Sequence, residues 1–430
     1  MKKAASYALG CKVNQVESEA IAEAFAERGY EIVDINDKAD VYVINTCSVT
    51  NLGDKKSRQL IRRVKRTNPD AIVVAVGCYA QTAPEDIKKI EGVNIILGTK
   101  GRNEIVDYVE NYHAEQGVDC RVGEIMHERA FEPISVNKLA GRTRAYLKIQ
   151  DGCSQFCSYC IIPYARGPIR SRDEEEVLSE VRTLAENGFK EVVLTGIHVA
   201  SYGKDLKTTN LLQVIKKVHE IDGIERIRLS SIEPNVVTEE FAAEMASLPK
   251  ACHHFHLSLQ SGCNKTLKEM NRKYTAEKYT EAVEILRKHM PDVAITTDII
   301  VGFPGETDED FEECYAFAEK IGFAKIHVFP YSPKRGTPAA ARKDQVSPQK
   351  KDERSEKLMA LSDKMAEDFI SGFIGRTMPV LFEQCHEDSI FEGHTSNYIN
   401  VKVKTDKAVK NMIIDTVIEK CEKESAFGSI

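Results

Sequence analysis

Three short apolar runs near the start of the chain, SYALG from Ser6, DVYVINT from Asp40 and AIVVAVG from Ala71, are separated by stretches of helical period such as VESEAIAEAFAERG from Val16. Strand, helix, strand in that order predicts a small parallel sheet with crossover helices. Periodicity then fades, and mixed charge with Gly117, Gly123 and Pro133 predicts a linker over 114–138, in which Cys120 has no expected role. Six further apolar segments follow: RAYLKIQ, EVVLTG, RIRLSS, HFHLSLQ, VAITTDIIVG and KIHVFP. Helical patterns such as DEEEVLSEVRTLAENG and TAEKYTEAVEILRKH stand between them. Six βα units predict an open partial barrel.

After Pro330 a stretch rich in proline and small residues hands over to a charged helical pattern, Lys350 to Ile370, expected to close the barrel's open side. The last segments, TMPVLFEQC, SIFEGHTSNYINVKV and NMIIDTVIEKC, alternate apolar with polar residues, which predicts a small antiparallel barrel. The expected class is therefore α/β. Its parts are an N-terminal parallel domain at 1–113, the linker, a (βα)6 core at 139–369 and a terminal β-barrel at 370–430.

Twelve cysteines change this picture. The apolar runs are too short to cross a membrane, and the start MKKAASYALG lacks the long apolar stretch of a signal peptide, so a cytoplasmic protein is expected. In a reducing compartment, metal explains so many thiols better than disulfides do. The net charge of −7 argues against a generally basic coat, so nucleic acid would have to be met by local patches.

Cys153, Cys157 and Cys160 in CSQFCSYC can wrap three corners of one iron-sulfur cube. The fourth iron is left open, able to chelate the amine and carboxylate of methionine. A zinc knuckle would want a fourth ligand nearby, and none has matching spacing. The loop follows the first core strand, at the carboxyl face where barrels keep their chemistry. The N-terminal runs each end in a cysteine as well, Cys11, Cys47 and Cys78. Carboxyl ends of neighbouring parallel strands share an edge, so these thiols are expected to converge on a second three-thiolate cluster.

On these residues the chain resembles the radical S-adenosylmethionine methylthiotransferases. CSQFCSYC is similar to their radical core, and LGCKVNQVESE, NTCSVT and VGCYAQ to the three signatures of their N-terminal domain. The resemblance implies two [4Fe-4S] clusters and S-adenosylmethionine. The cluster at Cys153, Cys157 and Cys160 would cleave the cofactor to a radical that takes hydrogen from the adenine 2-position. The cluster at Cys11, Cys47 and Cys78 would carry the sulfur, methylated by a second cofactor molecule. A donor such as flavodoxin or ferredoxin is the expected source of electrons.

Tyr159 resembles the aromatic that packs on adenine, and Thr195 and Gly196 the motif that meets the methionine amine. Glu233, Gln260, Arg272 and Asp298 end strands or begin helices on the same side and are assigned as cofactor contacts. The turn from Gly302 to Thr307 is a tight-turn signature first, with adenine binding as a second reading. His198, His253, His254 and His256 show no ligand spacing, and Cys252, Cys263, Cys314, Cys385 and Cys421 no pairing.

Between Cys47 and Cys78 the helical spacing puts Lys55, Arg58, Arg62 and Arg66 on one face, expected to meet RNA phosphates. This stretch also resembles the branch that acts on threonylcarbamoyladenosine in transfer RNA. The terminal barrel resembles the RNA-binding TRAM domain. From Arg376 onward, however, seven Lys and Arg stand against nine acids, which leaves a local patch at Lys402, Lys404, Lys407 and Lys410.

Rival readings keep the chemistry and change the acceptor to isopentenyladenosine in transfer RNA or an aspartate of a small-subunit ribosomal protein. A cobalamin-dependent radical methylase would want a histidine in an Asp-x-His pattern, absent here. A non-catalytic iron-sulfur protein that binds RNA is the rival of another class.

Overall fold

The computed structural model describes residues 1–134 and 143–430. The N-terminal domain runs β1 (Lys3–Ala8), α1 (Lys12–Glu27), β2 (Glu31–Ile32), β3 (Val41–Thr46), α2 (Asn51–Thr67), β4 (Ile72–Gly77), α3 (Cys78–Thr82), α4 (Pro84–Lys88), β5 (Ile95–Leu97), α5 (Ile105–Glu110) and β6 (Asp119–Arg121). The sheet order is β2-β1-β3-β4-β5-β6, and every pairing is parallel. β3 is buried at all six positions, as an inner strand covered on both faces must be.

One expectation is corrected. The stretch 114–138 is not a plain linker, because β6 lies within it and pairs with β5 as the outermost strand. A three-residue strand is too short to show alternation in sequence. Positions 135–138 of that stretch, and 139–142 at the expected start of the core, lie outside the described residues.

The core runs β7 (Arg144–Asp151), α6 (Ile162–Arg166), β8 (Arg170–Ser171), α7 (Glu174–Glu186), β9 (Glu191–Gly196), α8 (Leu211–His219), β10 (Arg226–Leu229), α9 (Glu239–Ser247), β11 (His254–His256), α10 (Asn264–Glu269), α11 (Ala276–His289), β12 (Ala294–Val301), α12 (Asp308–Ile321), β13 (Lys325–Pro330) and α13 (Pro348–Ser371). All six expected strands are present. Parallel ladders join β7-β9-β10 and β11-β12-β13, and the bridges Ile227↔Ala251 and Ile232↔Leu257 connect the two sets. β8 is a two-residue antiparallel addition beside β7.

Alternation decides what each strand faces. β7 turns Ala145, Leu147 and Ile149 into the core beneath the helices. Its other face meets α1: Tyr146 packs on Val16 and Ala20, and Lys148 reaches Glu17. The N-terminal domain thus inserts a helix against the inner face of the partial barrel. On the opposite edge, Ser362 of α13 accepts from the Ile326 N–H and donates to the Ile326 carbonyl, which satisfies the free side of β13. That helix covers the open edge as expected.

The terminal domain is a closed barrel of β14 (Thr377–Cys385), β15 (Ile390–Thr395), β16 (Asn400–Lys404), β17 (Ile413–Glu422) and β18 (Ser425–Ser429), in the order β14-β15-β16-β18-β17. Four pairings are antiparallel, and β16 with β18 is parallel. This barrel docks on the amino ends of the core strands. Arg144 pairs with Glu383 at 2.6 Å, Arg226 donates to the carbonyls of His394 and Pro379, and Arg228 donates to that of Ser396. Tyr398 stacks on His254 and His394 beneath the Arg228 guanidinium.

Candidate active site

Cys11, Cys47 and Cys78 follow β1, β3 and β4, three adjacent strands, so sheet topology brings them to one edge. Gly10, Gly77 and Gly152 each precede a cysteine with φ between +71° and +99°, a region open to glycine at no steric cost. A Cβ on Gly10 would sit 2.5 Å from Cys47 Sγ. The loop therefore closes over the sulfur only because residue 10 has no side chain. Burial pushes the Cys47 thiol up to about 12, with Cys78 and Cys11 adding to the shift. Cys78 is raised by burial too, partly opposed by Arg166. Metal binding here has protons to displace.

The second trio lies past the carboxyl end of β7. Cys153 N–H donates to the Gly167 carbonyl at 3.0 Å, and Cys160 N–H to that of Cys157 at 3.0 Å. Burial pushes Cys153 up to about 11 and Cys160 up to about 12, with Cys157 adding to both. Among the described residues, no group of three or more His, Cys, Asp and Glu is gathered around a point that one ion could occupy.

What surrounds the sulfurs fits cluster ligands nonetheless. Cys47 accepts from the Val49 N–H at 3.5 Å, Cys78 from Arg166 Nε at 3.2 Å and Cys157 from Arg272 NH1 at 3.3 Å. The backbone N–H groups of Gln155 and Ile162 oppose the upward shifts of Cys153 and Cys160. Cys11 occupies the N-cap of α1. Hydrogen-bond donors on Cys47, Cys78 and Cys157, two of them guanidinium groups, are what a cluster's thiolates want around them.

The expected cofactor contacts come together in part. Glu233 and Arg272 pair at 3.0 Å behind Cys157. Glu233 also takes His198 Nε2 at 3.1 Å and Gln155 Nε2 at 3.3 Å. Burial raises its carboxyl, but His198 and Arg272 more than reverse this. Tyr159 is half-buried against Met270, Phe303, Tyr331 and Ala339, an apolar patch on the cysteine loop's flank. Gln260, in a left-handed conformation at φ +73°, is nearly buried between β11 and Ile299. Asp298 is held by His256 at 3.3 Å. Thr195 is buried, and its hydroxyl bonds the Val193 carbonyl.

For Gly196 the structure supplies a packing reason, since a Cβ there would meet Gln150 Oε1 at 2.8 Å. The turn after β12 is likewise built for structure. Glu306 accepts from the Gly302 N–H and pairs with Arg354, and Thr307 forms a capping box with Asp310.

Between the two trios lies a group that sequence reasoning missed. Glu17 contacts Arg102 at 2.5 Å, Arg166 at 2.7 Å and Lys148 at 2.8 Å. Asp151 meets Lys148 at 2.6 Å, Arg166 at 3.2 Å and Arg170 at 3.6 Å, and Glu132 meets Arg102 at 2.7 Å. Arg166 ends α6, while Cys160 stands just before that helix. Six positions along the chain thus lead from a ligand of one trio to the guanidinium on the other, by way of a helix only five residues long, an axial rise of roughly 6 Å.

His198, which shows no ligand spacing in the sequence, steadies Glu233. His253, His254 and His256 bond Asp292, Thr296 and Asp298 respectively. On α2 the face from Lys55 to Arg66 is split. Lys55, Arg62 and Arg66 are exposed, whereas Arg58 is half-buried and donates to the Tyr79 hydroxyl at 2.9 Å. Lys404, Lys407 and Lys410 are exposed, and Lys402 is half-buried. No helix among the described residues is long and apolar enough to cross a membrane.

Two family models match, the Radical SAM superfamily over residues 147–318 and uncharacterized protein family UPF0004 over residues 3–98. A partial barrel with its three-cysteine loop at the strand carboxyl ends and the first of these matches define a radical S-adenosylmethionine enzyme. The chain is similar to threonylcarbamoyladenosine tRNA methylthiotransferase MtaB of Bacillus subtilis, 45% identical with 98% of this chain and 94% of that one covered. It is similar to MtaB of Aquifex aeolicus at 40%, covering 96% and 99%. The tRNA-2-methylthio-N(6)-dimethylallyladenosine synthase of Acetivibrio thermocellus is 35% identical, covering 98% and 89%. The chain belongs to the radical S-adenosylmethionine methylthiotransferase family, in its threonylcarbamoyladenosine branch. Among solved structures, TsrM from Kitasatospora setae, with tryptophan substrate and aza-SAM bound, shares the fold at a TM-score of 0.58 and 16% identity, covering 85% and 89%.

Proposed function

We propose that this protein adds a methylthio group to C2 of N6-threonylcarbamoyladenosine at position 37 of transfer RNA, next to the anticodon. One observation carries the reading: two cysteine trios stand on either side of the short helix α6, in a chain alike over 98% of its length to enzymes named for this reaction. Cys153, Cys157 and Cys160 hold one [4Fe-4S] cluster and Cys11, Cys47 and Cys78 the other. When bound, the first supplies the electron that cleaves S-adenosylmethionine to a radical, and the second supplies sulfur.

The chain's own residues bind and orient. Arg272 donates to Cys157, and with Glu233 it forms a charged floor for the methionine end of the cofactor. Tyr159 and its apolar neighbours offer a surface for adenine. Thr195, Gly196, Gln260 and Asp298 complete the contact set. Lys55, Arg62 and Arg66 meet RNA phosphates, supported by their exposure on α2. A cytoplasmic flavodoxin or ferredoxin is the electron donor, since thiolate-held clusters sit at low potential.

The test is mass analysis of transfer-RNA nucleosides from cells lacking the gene, complemented with the intact sequence or with Cys78→Ala. Only the intact sequence should restore the 2-methylthio nucleoside. If it is present in the uncomplemented strain, this acceptor is wrong.

A further inference from the structure

We propose that Arg166 is a positioning residue for the sulfur-bearing cluster, placed to balance the negative charge that ligated Cys78 carries. The inference rests on Cys11, Cys47 and Cys78 holding a cluster. Its basis is a charge count. Around Arg166 the described residues place four buried cations, Arg102, Lys148, Arg166 and Arg170, against three acids, Glu17, Asp151 and Glu132. The four cations are each 3% exposed or less, so solvent does not supply the missing anion.

An unmatched charge away from water is strongly disfavoured. The donors of Arg166 show where the match lies. NH1 serves Glu17 and Asp151, NH2 serves Asn14 at 2.7 Å and Glu17, and Nε serves no carboxylate, reaching Cys78 Sγ at 3.2 Å. A neutral thiol accepts weakly, whereas a ligated thiolate is an anion and completes the set. A fixed cation here favours the more negative state of whatever the thiolates hold, and so raises its potential.

The experiment uses full-length protein with Cys153, Cys157 and Cys160 all changed to Ala, so that one cluster's signal remains. Midpoint potential by EPR-monitored titration, iron loss to a chelator, and melting temperature with and without iron are read for Arg166, Arg166→Lys, Arg166→Met and Glu132→Gln. Arg166→Met should lower the potential, speed iron loss by roughly tenfold and shrink the melting gap between loaded and stripped protein. Arg166→Lys, which keeps the charge, should stay nearer the parent. Glu132→Gln, which adds to the positive excess, should raise the potential and keeps the test open if Arg166→Met does not fold.

An interdomain clamp would lower both melting points alike and leave the potential unmoved. That result overturns the inference while iron is still bound. A parent that binds no iron overturns instead the assignment of the N-terminal cysteines, and the inference with it.

Discussion

Glu233 and Arg272 form a buried ion pair, 3.0 Å between Oε1 and NH2, and the same guanidinium donates to Cys157 Sγ at 3.3 Å. The sulfur and the carboxylate are thus oriented by one planar group, although 76 residues separate Cys157 from Glu233. Glu233→Gln removes the charge and keeps the shape. We expect iron content to hold while S-adenosylmethionine binds about tenfold more weakly or worse, the scale of a hydrogen bond to a charged group. Calorimetric titration of reconstituted protein gives the answer, and unchanged affinity would remove Glu233 from the cofactor site.

Cys157→Ala should separate the two metal sites. Iron per chain is expected to fall by about half, with cofactor cleavage abolished and the N-terminal signal kept. Full loss of iron would mean that the two sites assemble as one.

Exposure on α2 sorts the basic residues that sequence spacing grouped together. Changing Arg62 and Arg66 together to Glu should weaken transfer-RNA binding and flatten its dependence on log salt by about two. Arg58→Ala should act through its lost bond to Tyr79, lowering stability and leaving the salt slope alone. Filter binding at several salt concentrations separates these outcomes.

Acid should loosen the seam between core and terminal barrel. Burial pushes the Glu191 carboxyl up, but Arg228, Arg144 and Arg226 overcome that and hold it at about 2, against an ordinary 4.5. The folded chain resists protonation there more than the unfolded chain does. Its contribution is whole above pH 4.5 and is lost as pH falls toward 2. Urea midpoints across this window should fall more steeply for the parent than for Glu191→Gln. The variant also starts lower at neutral pH, because it leaves buried guanidinia short of a partner.

Much of the site was legible because its signals are local. Cys153 to Cys160 span one loop, and strand ends at Cys11, Cys47 and Cys78 converge by parallel topology alone. The buried charges were not, since Glu17 and Arg166 are 149 residues apart and each alone reads as a solvated helix residue. Arg58 faced the same limit: helical spacing gives its side of α2, whereas its turn toward Tyr79 depends on α3. The parallel closure of β16 on β18 escaped because alternation marks strands without giving their partners.

The terminal barrel sits at the amino ends of the core strands, whereas both cysteine trios lie beyond the carboxyl ends of theirs. β7 alone, eight residues long, sets the terminal barrel roughly 25 Å from the level of the Cys153 loop, and α13, at 24 residues, runs roughly 36 Å. An RNA that engages Lys404 or Lys407 while offering a base near Cys157 must therefore have a minimum reach. Under the proposed function the molecule would act as a gauge, and a stem-loop trimmed below that span would forfeit one grip or the other.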